Sequence, residues 1–193
     1  MSDDITKHLF NGGNCRNLEL IKANTSSPKI VNAIVEIPKG TSAKYEYSPE
    51  LDVFQLDRCL PSSMKYPCSY GFIPSTLADD NDPLDILIYN DTPIDRGTLV
   101  ECNVIGVLDM KDSGGQDWKI LGTPTSHVRN YRSLKDIDPM FIKIASYFFK
   151  HYKDLNNSYV EVGDWYGKQK AHDIIKECCK SFKYQTDQPL PVS

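Results

Sequence analysis

The chain has 193 residues, which suits one domain with a core of its own, and 40% of the residues are apolar. A net charge of −4 and a pI of about 5.5 argue against a nucleic-acid-binding protein, which usually carries a basic excess. The polar start predicts no signal peptide, and no apolar run is long enough to span a bilayer. The six cysteines lack zinc-site spacing, so we expect reduced thiols in a cytoplasmic protein. The short apolar runs lead us to expect no membrane partner.

A loop-rich arm of about residues 1–28 is predicted to precede the first strand, because its Asn, Gly, Ser and Pro clusters are typical of loops. Six segments then show the β-branched composition or the alternation of strands. The predicted strands are IVNAIVEIP (30–38), AKYEYS (43–48), VFQLDR (53–58), LDILIYN (84–90), LVECNVIGVLDM (99–110) and DWKILGTP (117–124).

Two helices are predicted in the C-terminal third of the chain. Asp138 followed by Pro139 is a typical helix start, because the first can cap the helix and the second fits its first turn. Helical spacing then predicts two apolar faces, one with Phe141, Ile144, Ala145, Phe148 and Tyr152, and the other with Ala171, Ile174, Ile175, Cys178 and Phe182. Strands followed by helices predict a single α+β domain over residues 1–193 with a closed or sandwich-like sheet, ending in a frayed tail from about 186 to 193.

The stretch DDNDPLDIL (residues 79–87) crowds four aspartates in front of an apolar strand. A solvated acidic turn is the commonest role of such a cluster, and a helix cap would need only one aspartate. An EF-hand calcium loop is excluded, because it needs an oxygen ligand where Leu84 stands and a glycine where Asp85 stands.

The spacing of these aspartates favours a metal site. If residues 80–84 are extended, alternation places Asp80 and Asp82 on the same side, and the turn at Pro83 lets Asp85 face the same pocket. Several carboxylate oxygens that converge on one point suit magnesium or manganese.

A second acidic group, in DMKDSGGQDWK, has Asp112 and Asp117 on either side of a Gly-Gly turn. Lys119 lies two residues after Asp117 and is therefore expected on the same face of the strand. The two acidic groups flank a long strand pair and are predicted to meet over one metal cluster, although Asp112 alone fits an exposed hairpin tip. Other cationic, acidic and phenolic residues, each unremarkable alone, would together make a phosphate pocket beside a metal. They are Lys44, Glu46, Arg58, Tyr66, Tyr70, Tyr152 and Lys153.

Several segments of the chain, in their order along the sequence, resemble segments of the soluble inorganic pyrophosphatases of family I. DDNDPLDIL resembles the D-x-D-P-x-D signature of that family, and it stands among EIPKGTSAKYE, LDR, KYPCSYGFIP, VIGVLDMKDSGGQDWKIL and FFKHYKDL. The resemblance runs from about Ile34 to Tyr166. It implies Mg²⁺-dependent hydrolysis of pyrophosphate by metal-activated water, without a covalent intermediate. The implied fold is a small OB-like β-barrel of five strands with peripheral C-terminal helices.

The resemblance also implies roles for single residues. As metal ligands it gives Asp80, Asp85, Asp112 and Asp117. As substrate binders it gives Lys44, Arg58, Lys119, Tyr152 and Lys153, and around them it gives the water-linked carboxylates Glu36 and Glu46 and the pocket residue Tyr66. Asp82 would take the proton from the attacking water, and Tyr70 would lie near that nucleophile.

Ser113 is a departure, because the family commonly has a second acid there, and it leaves metal affinity open. The alternatives are another metal phosphohydrolase, an OB-like nucleic-acid-binding module or a catalytically impaired relative. A homo-oligomer is expected, but its size is open: the chain length resembles hexameric family members, whereas Trp118 resembles the longer, dimeric ones.

Overall fold

The structure, a computed structural model, describes residues 17–24, 26–156 and 158–186. Most of the predicted N-terminal arm and nearly all of the predicted tail lie outside these residues, so both remain predictions. The strands are β1 (Ile30–Ile37), β2 (Ala43–Ser48), β3 (Val53–Cys59), β4 (Ser69–Phe72), β5 (Asp85–Ile88), β6 (Leu99–Asp112), β7 (Gly115–Gln116), β8 (Lys119–Pro124) and β9 (Val160–Gly167). The helices are α1 (Pro139–His151) and α2 (Lys168–Thr186), with short 3₁₀ turns at Leu18–Leu20, Leu134–Asp136 and Asp154–Asn156.

Five strands close into a ring, which confirms the predicted α+β barrel. The strand order is β1-β4-β5-β8-β6, and β6 returns to pair with β1, so that Ile30 faces Asn103 and Ile34 faces Leu99. The pairing of β5 with β8 is parallel, whereas the other pairings of the ring are antiparallel. Strands β7 and β9 extend β6, and β2 with β3 forms a separate hairpin.

All six predicted strands are present, but β4, β7 and β9 were not predicted. Between β1 and β4 the backbones come so close that a Cβ at Gly71 would overlap the Ile34 carbonyl. Glycine is therefore needed at this position, which follows Tyr70 in β4, because it lets β4 pair closely with β1.

The apolar core occupies both faces of the barrel sheet, because alternate residues of each strand point to opposite faces. Leu87 and Leu121 share a core cluster with the α1 residues Phe141, Ala145 and Phe148. The neighbouring strand residues Ile86 and Ile120 share the other cluster with α2, through Ala171, Ile174, Ile175 and Cys178.

Helix α1 begins as predicted, with the Asp138 side chain accepting a hydrogen bond from the Met140 N–H and with Pro139 in the first turn. Its predicted apolar face is wrong at one position. Ile144 is 49% exposed, and Phe149 is buried instead, because the buried stripe follows the i+4 and i+3 steps from Ala145. Neither described helix has the combination of length and apolar character that crossing a bilayer requires.

Candidate active site

A cavity of about 240 Å³ opens where the starts of β5 and β8 meet the ends of β1 and β6. Eight carboxylates and three lysines line it. The lining comprises Glu19, Glu36, Lys44, Glu46, Tyr47, Tyr70, Phe72, Asp80, Asp82, Pro83, Asp85, Asp112, Asp117, Lys119, Tyr152 and Lys153. The two acidic groups, far apart in the sequence, therefore meet in one pocket, as the spacing predicted.

The first acidic group reaches the cavity by a turn and not by an extended segment, so the predicted conformation was wrong. Asn81 has a φ of 69°, and Asp80 Oδ1 accepts a hydrogen bond from the Asp82 N–H at 3.1 Å. Asparagine tolerates the left-handed region, and aspartate side chains commonly hold such turns. Burial and neighbouring carboxylates raise the pKa of Asp80 and of Asp82.

Lys119 lies between the two acidic groups. Its side chain is 4% exposed, and its ammonium contacts both Asp85 and Asp117. Burial opposes its charge, but the two carboxylates more than offset this and raise the pKa of Lys119. Burial, together with the Asp85 charge, raises the pKa of Asp117 to about 6 despite that contact. The Lys119 ammonium is thus a cation that lies between two carboxylates and offsets their repulsion.

Asp112 ends β6 and is fixed by two contacts. One carboxylate oxygen accepts from the Gly114 N–H at 2.8 Å, and the other lies 2.7 Å from Lys153 Nζ. Although burial acts in the opposite direction, these contacts lower the pKa of Asp112. Lys153 follows Tyr152, the C-cap residue of α1, and the end of the helix therefore brings a cation to the cavity.

Strands β1 and β2 also contribute to the lining of the cavity. Glu36 is 9% exposed and accepts a hydrogen bond from the Tyr47 N–H at 2.8 Å. Burial, with a contribution from Asp85, raises its pKa to about 8. Lys44 contacts Glu46 and lies 3.0 Å from Asp57.

Tyr70 is buried in the cavity wall, and burial together with the Asp85 charge raises its pKa. Two of the predicted site residues are not among the described lining residues. Tyr66, 3% exposed, packs behind Tyr70 and against Phe148. Arg58 pairs with Asp57 at 2.7 Å, and its buried Nε has no hydrogen-bond partner within the described residues.

The donor set fits a divalent cation chemically. Carboxylate oxygens are the ligands that Mg²⁺ prefers, and their like charges repel each other without a cation. Within residues 17–24, 26–156 and 158–186, no three acidic, histidine or cysteine side chains form a ready-made ligand set. Lys119 contacts Asp85 and Asp117, and Lys153 contacts Asp112, so three of the carboxylates are engaged by lysines.

Sequence reasoning missed four lining residues. Tyr47, Phe72 and Pro83 shape the walls, and they belong to segments that the sequence had singled out for other residues. Glu19 comes from the 3₁₀ turn in the N-terminal segment, to which no role was assigned. No local pattern in the sequence connects Glu19 to the aspartates more than sixty positions away.

A closed five-stranded barrel with a pocket of carboxylates and lysines defines a class of protein whose pocket is chemically suited to metal ions and small phosphate compounds. Comparisons with known proteins agree. A family model described as inorganic pyrophosphatase matches residues 33–183. The inorganic pyrophosphatase of Geobacillus stearothermophilus is 42% identical over 159 residues, which are 81% of this chain and 96% of that protein.

Solved structures show the same fold. The crystal structure of inorganic pyrophosphatase from Thermus thermophilus superposes with a TM-score of 0.84 at 35% identity, covering 87% of this chain and 99% of that one. A vacuolar soluble pyrophosphatase of Trypanosoma cruzi, truncated of its N-terminal domain and in complex with PPi, is similar in fold, with a TM-score of 0.77 at 22% identity. That match covers 88% of this chain and 75% of the other. The chain belongs to family I of the soluble inorganic pyrophosphatases, whose members are metal-dependent enzymes.

Proposed function

We propose that this pocket hydrolyses inorganic pyrophosphate to two phosphates with Mg²⁺ as its metal. Pyrophosphate hydrolysis is the activity of the family to which the chain belongs. The observation that supports the metal requirement is the charge of the cavity, where eight carboxylates face three lysines. An anionic substrate is repelled from such a pocket unless additional cations enter with it.

The chemistry is a displacement at phosphorus. The oxygen of a water molecule forms a bond to one phosphorus, while the bond from that phosphorus to the bridging oxygen breaks. Asp82 takes the proton from the water, because it faces the cavity and burial makes it a stronger base than an exposed aspartate. The departing phosphate leaves with the bridging oxygen, and no covalent enzyme intermediate forms.

The cations of the chain act on the phosphate groups. Lys44, Lys119 and Lys153 face the cavity from different elements, so their ammonium groups can donate to different phosphate oxygens. Tyr152 provides a hydroxyl on the same side as Lys153, and Arg58 is the proposed further donor, after exchange of its contact with Asp57.

Asp80, Asp85, Asp112 and Asp117 are the residues that would hold Mg²⁺. When bound, Mg²⁺ supplies positive charge to the phosphate oxygens and lowers the pKa of a water molecule. Lys119 has to release Asp85 and Asp117 for this, and the released ammonium becomes available to the substrate. Glu36, Glu46 and Tyr70 line the same cavity, and Tyr66 packs against Tyr70.

The test is phosphate release from pyrophosphate, measured beside phosphate release from ATP and binding of single-stranded DNA. Pyrophosphate should be hydrolysed with strong preference, EDTA should abolish the reaction, and excess Mg²⁺ should restore it. Full activity in metal-free buffer would refute the metal requirement. Preference for ATP would instead indicate another phosphohydrolase, and DNA binding without hydrolysis would indicate a binding module.

We also propose a homo-oligomer in the cytoplasm. Helix α1 exposes the apolar side chains of Met140, Ile144 and Tyr147, each about half exposed or more, and such a face is commonly covered by another subunit. Light scattering after size-exclusion chromatography would measure the subunit number, and a monomer would contradict the proposed oligomer.

The cytoplasmic location is supported by the described cysteines, which are free and therefore fit a reducing compartment.

A further inference from the structure

The N-terminal segment is fixed against the pocket by main-chain hydrogen bonds. The Leu18 N–H donates to the Tyr47 hydroxyl at 3.0 Å, and the Glu19 carbonyl accepts from the Ser75 N–H at 2.7 Å. The Ser75 hydroxyl donates to the Ile21 carbonyl at 2.8 Å. The segment is therefore attached both to β2 and to the loop that leads into the first acidic group.

Apolar packing and a cap support the same placement. Leu18 and Ile21 pack against the small cluster of Ile34, Tyr47 and Phe72. Asn17 Oδ1 accepts from the Glu19 N–H at 2.9 Å and starts the 3₁₀ turn. These contacts leave the Glu19 side chain half-buried in the cavity wall.

Among the described residues, none of the cavity lysines forms an ion pair with Glu19. The three lysines of the pocket pair with other carboxylates: Lys44 contacts Glu46, Lys119 contacts Asp85 and Asp117, and Lys153 contacts Asp112. Glu19 instead lies near Asp82, and burial together with the Asp82 charge raises its pKa. A carboxylate near Asp82 in the cavity that Asp80 also lines repels an anionic substrate, whereas it attracts a cation.

We propose that Glu19 strengthens the binding of divalent metal ions at the Asp80–Asp82 end of the cavity, by adding a negative charge that the N-terminal segment holds in place. The inference rests on the proposed function for the purpose of that metal, although metal binding is measurable by itself. The family model matches residues 33–183, and Glu19 lies outside the matched region. Glu19 acts through the electric field of its carboxylate and is not proposed to touch the reacting atoms.

The experiment measures Mn²⁺ or Mg²⁺ binding to the full-length, EDTA-treated protein by isothermal titration calorimetry. Three variants are compared with the wild type: Glu19→Gln, Glu19→Asp and the control Glu177→Gln. Glutamine preserves the shape of Glu19 and the main-chain contacts that hold the turn. Glu177 is exposed on α2 and outside the pocket lining, so its replacement removes the same charge from the molecule without changing the site.

At low ionic strength, Glu19→Gln should weaken the tighter metal-binding step by roughly 3- to 10-fold, as expected for one unit charge several ångströms away in a partly solvated pocket. Glu19→Asp should retain part of the affinity, and Glu177→Gln should retain all of it. In about 0.5 M KCl the difference between Glu19→Gln and wild type should shrink, because salt screens charges at this range. A purely structural role for Glu19 would give a deficit that salt leaves unchanged.

Equal metal affinity of Glu19→Gln and wild type would overturn the proposal, as would a deficit that is the same at both salt concentrations. Thermal unfolding of each variant in EDTA confirms that it is folded. Pyrophosphate hydrolysis by the wild type is assayed in parallel. If the wild type binds metal but does not hydrolyse pyrophosphate, the proposed function fails, while the comparison of metal affinities still decides the role of Glu19.

Discussion

Replacing Glu36 by glutamine is expected to stabilise the metal-free protein at neutral and alkaline pH. The Glu36 carboxyl is 9% exposed, and burial raises its pKa from an ordinary 4.5 to about 8. Asp85 and Glu46 act in the same direction, whereas the Tyr47 N–H and Lys44 act against it. The folded state therefore prefers the protonated form, and ionising Glu36 weakens folding.

The sign and size follow from the raised pKa. A group with a higher pKa in the folded state contributes its full stability below its unfolded pKa, and loses it as the pH rises through the folded pKa. Each unit of pKa difference corresponds to about 1.4 kcal/mol. The loss between pH 4.5 and pH 8 is therefore of order 5 kcal/mol at most, with about 3 kcal/mol of it reached by pH 7.

The assay is urea unfolding in EDTA at several pH values between 5 and 8.5. Glu36→Gln and wild type should have similar unfolding free energies at pH 5, and the variant should gain over wild type as the pH rises. Other titrating carboxyls are present in both proteins, so they cancel in the difference. Glu177→Gln controls for the change in net charge. Parallel pH profiles for Glu36→Gln and wild type would refute the reasoning.

Three further predictions concern the same pocket. Lys119→Met leaves Asp85 and Asp117 without their cation, so the metal-free variant should lose about 3 kcal/mol of unfolding free energy relative to wild type. Urea denaturation in saturating Mg²⁺ should show most of this loss restored, and equal losses with and without Mg²⁺ would contradict the prediction. Asp82→Asn removes the basic oxygen, so kcat should fall about 10²- to 10⁴-fold. In Mg²⁺ titrations that follow kcat, its metal affinity should change less than that of Asp85→Asn, and recovery of wild-type kcat at saturating Mg²⁺ would instead identify Asp82 as a metal ligand. Ca²⁺ should inhibit in steady-state assays, because it prefers a larger and looser oxygen shell than Mg²⁺, and turnover equal to that with Mg²⁺ would disprove this.

The sequence predicted the strands that have a local signature and missed those that depend on their partners. In β4 all four residues are buried, so no alternation reveals the strand, and it contains a glycine. In β9 six of eight residues are polar, glycine or aromatic, and the strand exists because it pairs along β6. Closure of the ring was implied by the family resemblance alone, since pairing between distant strands leaves no local pattern.

The candidate site shows the same division. Acidic spacing correctly predicted that Asp80, Asp85 and Asp117 meet, because each stands at the start of or beside a strand. The turn at Asn81 was missed, since a side-chain hydrogen bond competes there with the extended backbone. Glu19 was missed because its place depends on two tertiary hydrogen bonds, one that the Ser75 N–H donates to the Glu19 carbonyl and one that the Leu18 N–H donates to the Tyr47 hydroxyl.

The closure of the barrel has a consequence for the order of events during synthesis on the ribosome. Strand β1 pairs with β6 between Ile30 and Asn103, roughly 70 residues later in the chain. Until β6 has emerged, one edge of β1 has unpaired backbone groups beside the apolar side chains of Val31, Ala33 and Val35. A nascent chain that stalls before residue 99 therefore presents an aggregation-prone edge, and chaperone binding during translation should be concentrated in that window.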